Sequence, residues 1–344
     1  MLTRGNVKPL YYRILSKFPP NYGFVFAYGS GVKKQVGYDG SKEIKTSKQT
    51  MIDLMYCVDN PYLWHAQNIE LNPSHYSGLM KNLGVQSIAK YQESYGAKVY
   101  FNTLVPIEEE NILIKYGVIS SKAMITDLLD WSYLYSAGRL QKPVEIVRTP
   151  STCIQNALEL NLQSALHAAL LLLPKEFTEY ELYYTVSNLS YNGDFRMIFG
   201  ENKNKVDNIV KPQLESFRNL YSSTMKVFNQ IVEFPNKEIN MKNNNMLLRQ
   251  DKSPHIILQH LNQLPKWPIR RIVKYWNKGK YRQDTEDVLR AVAVSPMYQD
   301  IVRKSLSDIV WRSSIFQSIK NIPTSGFTKS TIYMWTKALK TFGL

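Results

Sequence analysis

The run Phe26-Ala-Tyr-Gly-Ser-Gly-Val32 puts Gly29, Ser30 and Gly31 at the end of a short apolar stretch, directly after Tyr28. A strand that ends in Gly-Ser and turns sharply brings backbone N–H groups against an anion, because glycine has no side chain in the way. Ser30 adds a hydroxyl donor. Gly-Ser-Gly is also a common loop sequence, so the tripeptide alone decides nothing. Further on, Met51-Ile-Asp-Leu-Met55 sets Asp53 inside an otherwise apolar run. A carboxylate there is costly unless it is paired or bound to a metal.

Two later motifs carry charge in a chemically useful way. Gly138-Arg-Leu-Gln-Lys-Pro143 offers Arg139 and Lys142 beside a stiffening proline. They read either as a clamp on phosphate groups or as two solvated cations at a domain junction. Gly193-Asp-Phe-Arg196 is expected on a strand, which would put Asp194 and Arg196 on one face. They then either pair with each other or reach a metal or nucleotide. His75, in Ser74-His-Tyr-Ser77, reads as a hydrogen-bonded structural histidine.

The elements that must position these residues follow from the pattern. Tyr11 to Phe18 reads as a helix ended by Pro19-Pro20, and Phe24–Ala27 as a buried strand. Met51–Val58, Lys98–Val105 and Ile112–Ile119 are further strands, with a helix over Tyr76–Tyr95. Residues 1–145 are therefore a mixed α/β domain. Gln155–Leu173 is helical, and Thr178-Glu-Tyr-Glu181 resembles a capping box that opens the next helix. A turn at Ser190-Tyr-Asn-Gly-Asp194 and a strand over Phe195–Phe199 complete a winged-helix-like unit, residues 146–235. The polar stretch around Asn243-Asn-Asn245 separates it from a basic helical region, residues 250–344.

Forty-three Lys+Arg against 28 Asp+Glu leave a net charge of +15, which attracts nucleic acid, an anionic membrane or a polyphosphate. Cys57 and Cys153 are too few for a disulfide scaffold and read as two buried free thiols. No stretch is long and apolar enough to span a bilayer, and Ala165–Leu173 is a core helix. Arg4, Lys8, Arg13 and Lys17 precede the first acid, Asp39, which fits a transit peptide and an ordinary basic first helix equally. From Trp311 onward there are five cations (Arg312, Lys320, Lys329, Lys337, Lys340) and no acid. Over residues 328–344, Ile332, Trp335, Leu339 and Phe342 form one helical stripe, the pattern of an interfacial helix on an anionic membrane.

A Gly-Ser turn on one strand and an acid on the next resembles the polymerase-β-like nucleotidyltransferases, an α+β class in which acids hold magnesium against a triphosphate. That class carries two acids one residue apart, whereas Met51 and Met55 flank Asp53 here. Further ligands must come from elsewhere, with Asp59, Asp194 and Glu201 as candidates. The longer motifs narrow the resemblance. Val58-Asp-Asn-Pro61, Trp64-His65, Lys115-Tyr-Gly-Val-Ile-Ser120, Ala137-Gly-Arg-Leu-Gln-Lys-Pro143, Tyr191-Asn-Gly-Asp-Phe-Arg-Met197 and Lys205-Val-Asp-Asn-Ile-Val-Lys-Pro212 are similar to those of one family. It is the mitochondrial translocator assembly and maintenance family of peripheral CDP-diacylglycerol synthases.

The resemblance implies Mg²⁺ as cofactor, CTP and phosphatidic acid as substrates, and a product that feeds cardiolipin synthesis. It places the chain peripherally on the matrix side of the mitochondrial inner membrane. Asp53, Lys142 and Asp194 are the expected catalytic residues, with Asp53 and Asp194 on the metal. Tyr28, Gly29, Ser30, Gly31, Arg139 and Arg196 are expected to bind the nucleotide. No nucleic-acid partner is expected, and the oligomeric state stays open. Two rivals remain: a nucleotidyltransferase acting on RNA, which should display clustered exposed aromatics, and a non-catalytic inner-membrane assembly factor.

Overall fold

The computed structural model describes residues 9–32, 51–199, 204–233, 246–279 and 281–325. The first unit runs α1 (Pro9–Leu15), β1 (Phe24–Tyr28), β2 (Met51–Val58), α2 (Pro61–Leu71), α3 (Gly78–Ser94), β3 (Tyr100–Ile107), β4 (Ile112–Ser120), α4 (Ser121–Asp130), α5 (Ser136–Leu140) and β5 (Glu145–Arg148). Its five strands form one mixed sheet in the order β3-β4-β2-β1-β5. Only β2 and β4 run parallel, and α2, α3 and β3 supply the crossover that a parallel pair requires. Side chains of Asn60, Ser77 and Ser120 cap the first turns of α2, α3 and α4.

The sheet is buried on both faces, so β1 reads as a continuous apolar run rather than an alternating one. On one face α1 and α2 bury Ile14, Phe18, Tyr56, Trp64 and Tyr116. Arg13 of α1 pairs with Glu110, and Lys17 with Glu109 at 2.6 Å, so this basic helix belongs to the folded domain. The Tyr116 hydroxyl accepts from the amides of Asn68 (2.9 Å) and Asn102 (2.7 Å) and lies 3.0 Å from His75 Nδ1. His75 is thus hydrogen-bonded structure, as its context suggested. The opposite face carries Phe26, Met55, Phe101 and, at its edge, the chemistry described below.

The second unit contains α6 (Thr152–Leu172), β6 (Glu176–Thr178), α7 (Glu179–Asn188), α8 (Arg196–Phe199), α9 (Lys205–Val210), α10 (Leu214–Phe228), β7 (Val232–Glu233) and β8 (Leu247–Gln250). The three strands form an antiparallel sheet, β6-β8-β7. The expected capping box is present, with Thr178 and Glu181 each accepting from the other's backbone N–H. Ala165–Leu173 lies in the core, and no described helix is long and apolar enough to cross a membrane. Phe195–Phe199, expected as a strand, is not one. The Asp194 carboxylate accepts from Arg196 N at 3.0 Å and starts the short helix α8 instead. Cys57 is buried and its thiol pushed up to about 12 by that burial, but Cys153, on the solvent side of α6's first turn, is exposed.

The remaining helices are α11 (Pro254–Asn262), α12 (Lys266–Trp276), α13 (Thr285–Val294) and α14 (Tyr298–Ser325). They pack into the body of the molecule: α11 lies on α6, and α14 touches α6, α3 and β3. Gln317 of α14 accepts from Ala97 N (2.9 Å) and donates to Val99 O (3.1 Å). Lys320, counted by composition among the membrane-facing cations, is buried. Its ammonium donates to Gln92 O and Tyr95 O, both at 2.8 Å, where carbonyls collect at the end of α3. Burial lowers its pKa to about 7. Residues 328–344 and Asn243-Asn-Asn245 lie outside the described residues.

Tyr116→Phe removes the acceptor shared by two buried amides and should cost about 1–3 kcal/mol. A shift of the urea midpoint to lower concentration at unchanged slope is expected. An unshifted midpoint would show that the hydroxyl network adds nothing to the fold.

Candidate active site

Strand register assembles the first half of the site. Tyr28 of β1 pairs with Asp53 of β2, and Asp53 pairs with Lys115 of β4, so the three side chains form one row across the sheet. Lys115 Nζ lies 3.9 Å from Asp53 Oδ1 and 4.7 Å from the Phe101 ring centroid. Lys115 was not singled out from sequence. The signal was available: like Asp53, it is a charge inside an apolar strand.

Gly29 and Gly31 close the turn against this row. Gly29 has φ +87°, and a Cβ there would sit 2.9 Å from Asp53 Oδ2. A Cβ on Gly31 would approach Met51 O to 2.3 Å. Both glycines are therefore required by the closeness of β2, and Ser30 between them is exposed.

The second half comes from α5, which carries Arg139 and leads into Lys142. The Arg139 guanidinium lies over the Tyr28 ring, 4.0 Å from its centroid, and the charge of Asp53 acts on it. Its Nε is buried and has no hydrogen-bond partner among the described residues. Lys142 is buried, donates to Ser190 Oγ at 2.8 Å and to Gly138 O, and faces the Tyr191 ring. Burial first, and the Arg139 cation second, push its pKa well below the ordinary lysine value. A lysine so placed is poised to gain from an incoming anion.

Three braces hold this segment. Asp127, buried at the end of α4, accepts five backbone N–H bonds of 2.8–3.1 Å, from Tyr133, Leu134, Tyr135, Ser136 and Ala137. Asn161 of α6 accepts from Trp131 Nε1 (2.9 Å) and Gln141 Nε2 (3.1 Å) and donates to Ala137 O (3.1 Å). Tyr221 of α10 donates to Gln141 O at 2.9 Å. None of the three was picked from sequence. Asp127 left only a faint trace, an acid on the apolar side of a helix before an aromatic loop.

The turn at 190–194 completes the site. Gly193 has φ +90° and leaves no room for a Cβ, which would lie 2.4 Å from Ser307 Oγ of α14. Asp194 is buried and paired with Arg196 through a contact of 2.5 Å. A small cavity of about 40 Å³ brings together Arg139, Lys142, Ser190, Asp194 and Arg196. The proposed residues thus gather in two halves joined by the Tyr28–Arg139 stack. Asp59 does not join them. It accepts from Ser121 Oγ at 2.6 Å beyond the far end of β2, about 20 Å of strand from Asp53. Glu201 lies outside the described residues.

In this α+β protein a Gly-Ser turn lies beside a carboxylate, with Arg139 over Tyr28 and Lys142 buried further in, a set of groups suited to phosphate. A family model described as mitochondrial phosphatidate cytidylyltransferase matches residues 11–340. The chain is 44% identical over 343 residues to the mitochondrial phosphatidate cytidylyltransferase of Drosophila melanogaster, covering 97% of this chain and 99% of that protein. To the zebrafish (Danio rerio) protein of the same name it is 41% identical over 336 residues, covering 97% and 95%. To that of Rattus norvegicus it is 44% identical over 329 residues, covering 95% and 93%. The chain belongs to the mitochondrial phosphatidate cytidylyltransferase family.

Asp127→Ala should destabilise the protein by about 3 kcal/mol or more, since five buried donors lose one acceptor. Asp127→Asn, which keeps the volume and one acceptor oxygen, should lose less. Equal denaturation midpoints for wild type and Asp127→Ala would refute this role.

Proposed function

We propose that the chain is a cytidylyltransferase that joins CTP and phosphatidic acid into CDP-diacylglycerol and pyrophosphate, with Mg²⁺ as cofactor. The observation that carries the reading is the fit between Gly29 and Asp53. A carboxylate pressed against a glycine turn can share a metal with phosphates cradled by that turn. Magnesium binds through one or two carboxylates plus substrate phosphates, and among the described residues no group of three His, Cys, Asp or Glu could hold a metal by itself. Asp53 fits that demand, with Lys115 beside it to balance its charge. When bound, the metal would neutralise phosphate charge during in-line displacement.

The chain's own groups do the rest. Backbone N–H groups at Gly29–Gly31 and the Ser30 hydroxyl cradle the triphosphate. Arg139, seated over the Tyr28 ring, and Lys142 supply positive charge where pyrophosphate develops as leaving group. Both Asp194 oxygens accept from Arg196, so we read the pair as Asp194 aiming Arg196 at the phosphates. The attacking phosphate of phosphatidic acid is already anionic, and no general base is required.

In this reading the five-stranded unit is a polymerase-β-like nucleotidyltransferase domain, and α6, α7, α10 and the β6-β8-β7 sheet form a winged helix. The protein works as a peripheral enzyme on the matrix face of the mitochondrial inner membrane, in cardiolipin synthesis. Its surplus of cations supports attachment to an anionic bilayer.

Asp53→Asn keeps volume and removes the charge. Lipid-product formation should fall by at least about a hundredfold, while the thermal midpoint stays near that of wild type. Near-wild-type turnover by a folded Asp53→Asn protein would remove Asp53 from the catalytic centre.

A further inference from the structure

A cavity of about 670 Å³ opens where α3 ends, between α4, α12 and α14. It adjoins the small cavity at Arg139 and Lys142, because Tyr133 and Ser313 line both. Four cations reach it, Lys98, Lys122, Arg271 and Arg312, against two carboxylates, Glu93 and Asp130. None of the four makes an ion pair among the described residues. Glu93 is already engaged as an acceptor from Ser120 Oγ at 3.1 Å.

Arg271 is the most exposed to this imbalance. Its Nε is buried and has no hydrogen-bond partner among the described residues. Burial, and then the neighbouring Arg312, lower its pKa from the ordinary arginine value, with Asp308 opposing. Two crowded guanidinium groups, with Asp308 the acid that acts on Arg271, are stabilised further by an anion that lies between them. Among the lining groups four cations stand against two carboxylates, and a phosphomonoester anion offsets that excess of positive charge.

The opposite wall is apolar, built from Trp267, Ile309 and Phe316. The volume exceeds what a phosphate needs and falls in the range of sites that hold an organic ligand. Phe316 is 60% exposed at the rim, and the outer side of α14 continues with exposed Trp311, Ile319 and Ile322. An anion pocket that opens onto an apolar helix face suits a phosphate carried on a lipid, whose chains leave across that face toward the bilayer.

We infer that this cavity is the acceptor-lipid site. Lys98, Lys122, Arg271 and Arg312 hold the phosphomonoester of phosphatidic acid, and Trp267, Ile309 and Phe316 take the glycerol and the first acyl carbons. The assignment rests on the cytidylyltransferase reading. Passing Tyr133 and Ser313, a phosphate oxygen of the lipid attacks the α-phosphorus of CTP. The new P–O bond forms as the bond from the α-phosphorus to the bridging oxygen breaks, and pyrophosphate carries away the electron pair.

The test uses the full chain and dioctanoyl phosphatidic acid, dispersed so that attachment to a membrane does not limit the rate. Lys122 and Arg312 are exposed, so Lys122→Ala, Arg312→Ala and the double variant should fold. The double variant should raise the KM for the lipid about tenfold or more and leave the KM for CTP within about twofold. In the absence of CTP and metal, calorimetry should show wild type binding dioctanoyl phosphatidic acid and the double variant binding it correspondingly more weakly. Glycerol 3-phosphate and inorganic phosphate should compete only at concentrations about a hundredfold higher. An unchanged lipid KM, with wild type active, places the lipid elsewhere and leaves the cytidylyltransferase reading standing. A parallel rise in the KM for CTP assigns the cations to the nucleotide, and inorganic phosphate competing as well as the lipid reduces the cavity to an anion site. Each overturns the inference. If wild type turns over no lipid, the cytidylyltransferase reading falls, and the calorimetric comparison still decides whether the lipid sits here.

Discussion

One carboxylate organises the centre of this molecule. Asp127 gathers five consecutive backbone N–H groups, from Tyr133 to Ala137, and so fixes the start of the short helix α5. A helix of five residues has too little of its own hydrogen bonding to hold a position. With Asp127 at its start and Asn161 and Tyr221 bracing its end, it becomes a rigid mount for Arg139 and Lys142. The braces come from α4, α6 and α10, so both units of the chain must be folded before the cations reach their places.

That arrangement explains why two cations can be kept out of water next to each other. Arg139 lies over the Tyr28 ring, and Lys142 is tied to Ser190 and Gly138. Neither meets a carboxylate in an ion pair among the described residues, and Asp53 stands across the stack near enough to act on Arg139. The sheet side contributes the turn and the acid, the helical side contributes the positive charge, and a triphosphate between them would satisfy both. The same logic recurs outward, where α14 closes on the 190–194 turn and then forms one wall of the larger cavity.

The parts of the site that could be read from sequence are those whose logic is local. Gly29, Ser30 and Asp53 announce themselves because a glycine turn after a strand, and an acid within an apolar strand, are odd wherever they occur. The capping box at Thr178 is visible for the same reason. Asp127 and Asn161 were missed because their partners lie in a loop or on another helix, and their own neighbourhood marks them faintly or not at all. Lys115 was overlooked although it shares Asp53's signature. Phe195–Phe199 after its turn was expected as a strand with Asp194 and Arg196 on one face, but the Asp194 side chain bonds the Arg196 N–H and turns the chain into a helix. Lys320 shows the limit of counting charge: composition assigned it to a membrane face, and the fold uses it to cap α3. Family membership was carried by long motifs, and the match over residues 11–340 supports it.

The central claim is transfer of a cytidylyl group to a phosphate carried on a lipid, and the fate of each phosphorus of CTP tests it most directly. Purified full-length chain is incubated with Mg²⁺, phosphatidic acid and CTP labelled at either the α- or the γ-phosphate. The account predicts that α-label appears in lipid while γ-label leaves entirely as pyrophosphate. Transfer of γ-label to the lipid, or no labelled lipid from an intact protein, would contradict it.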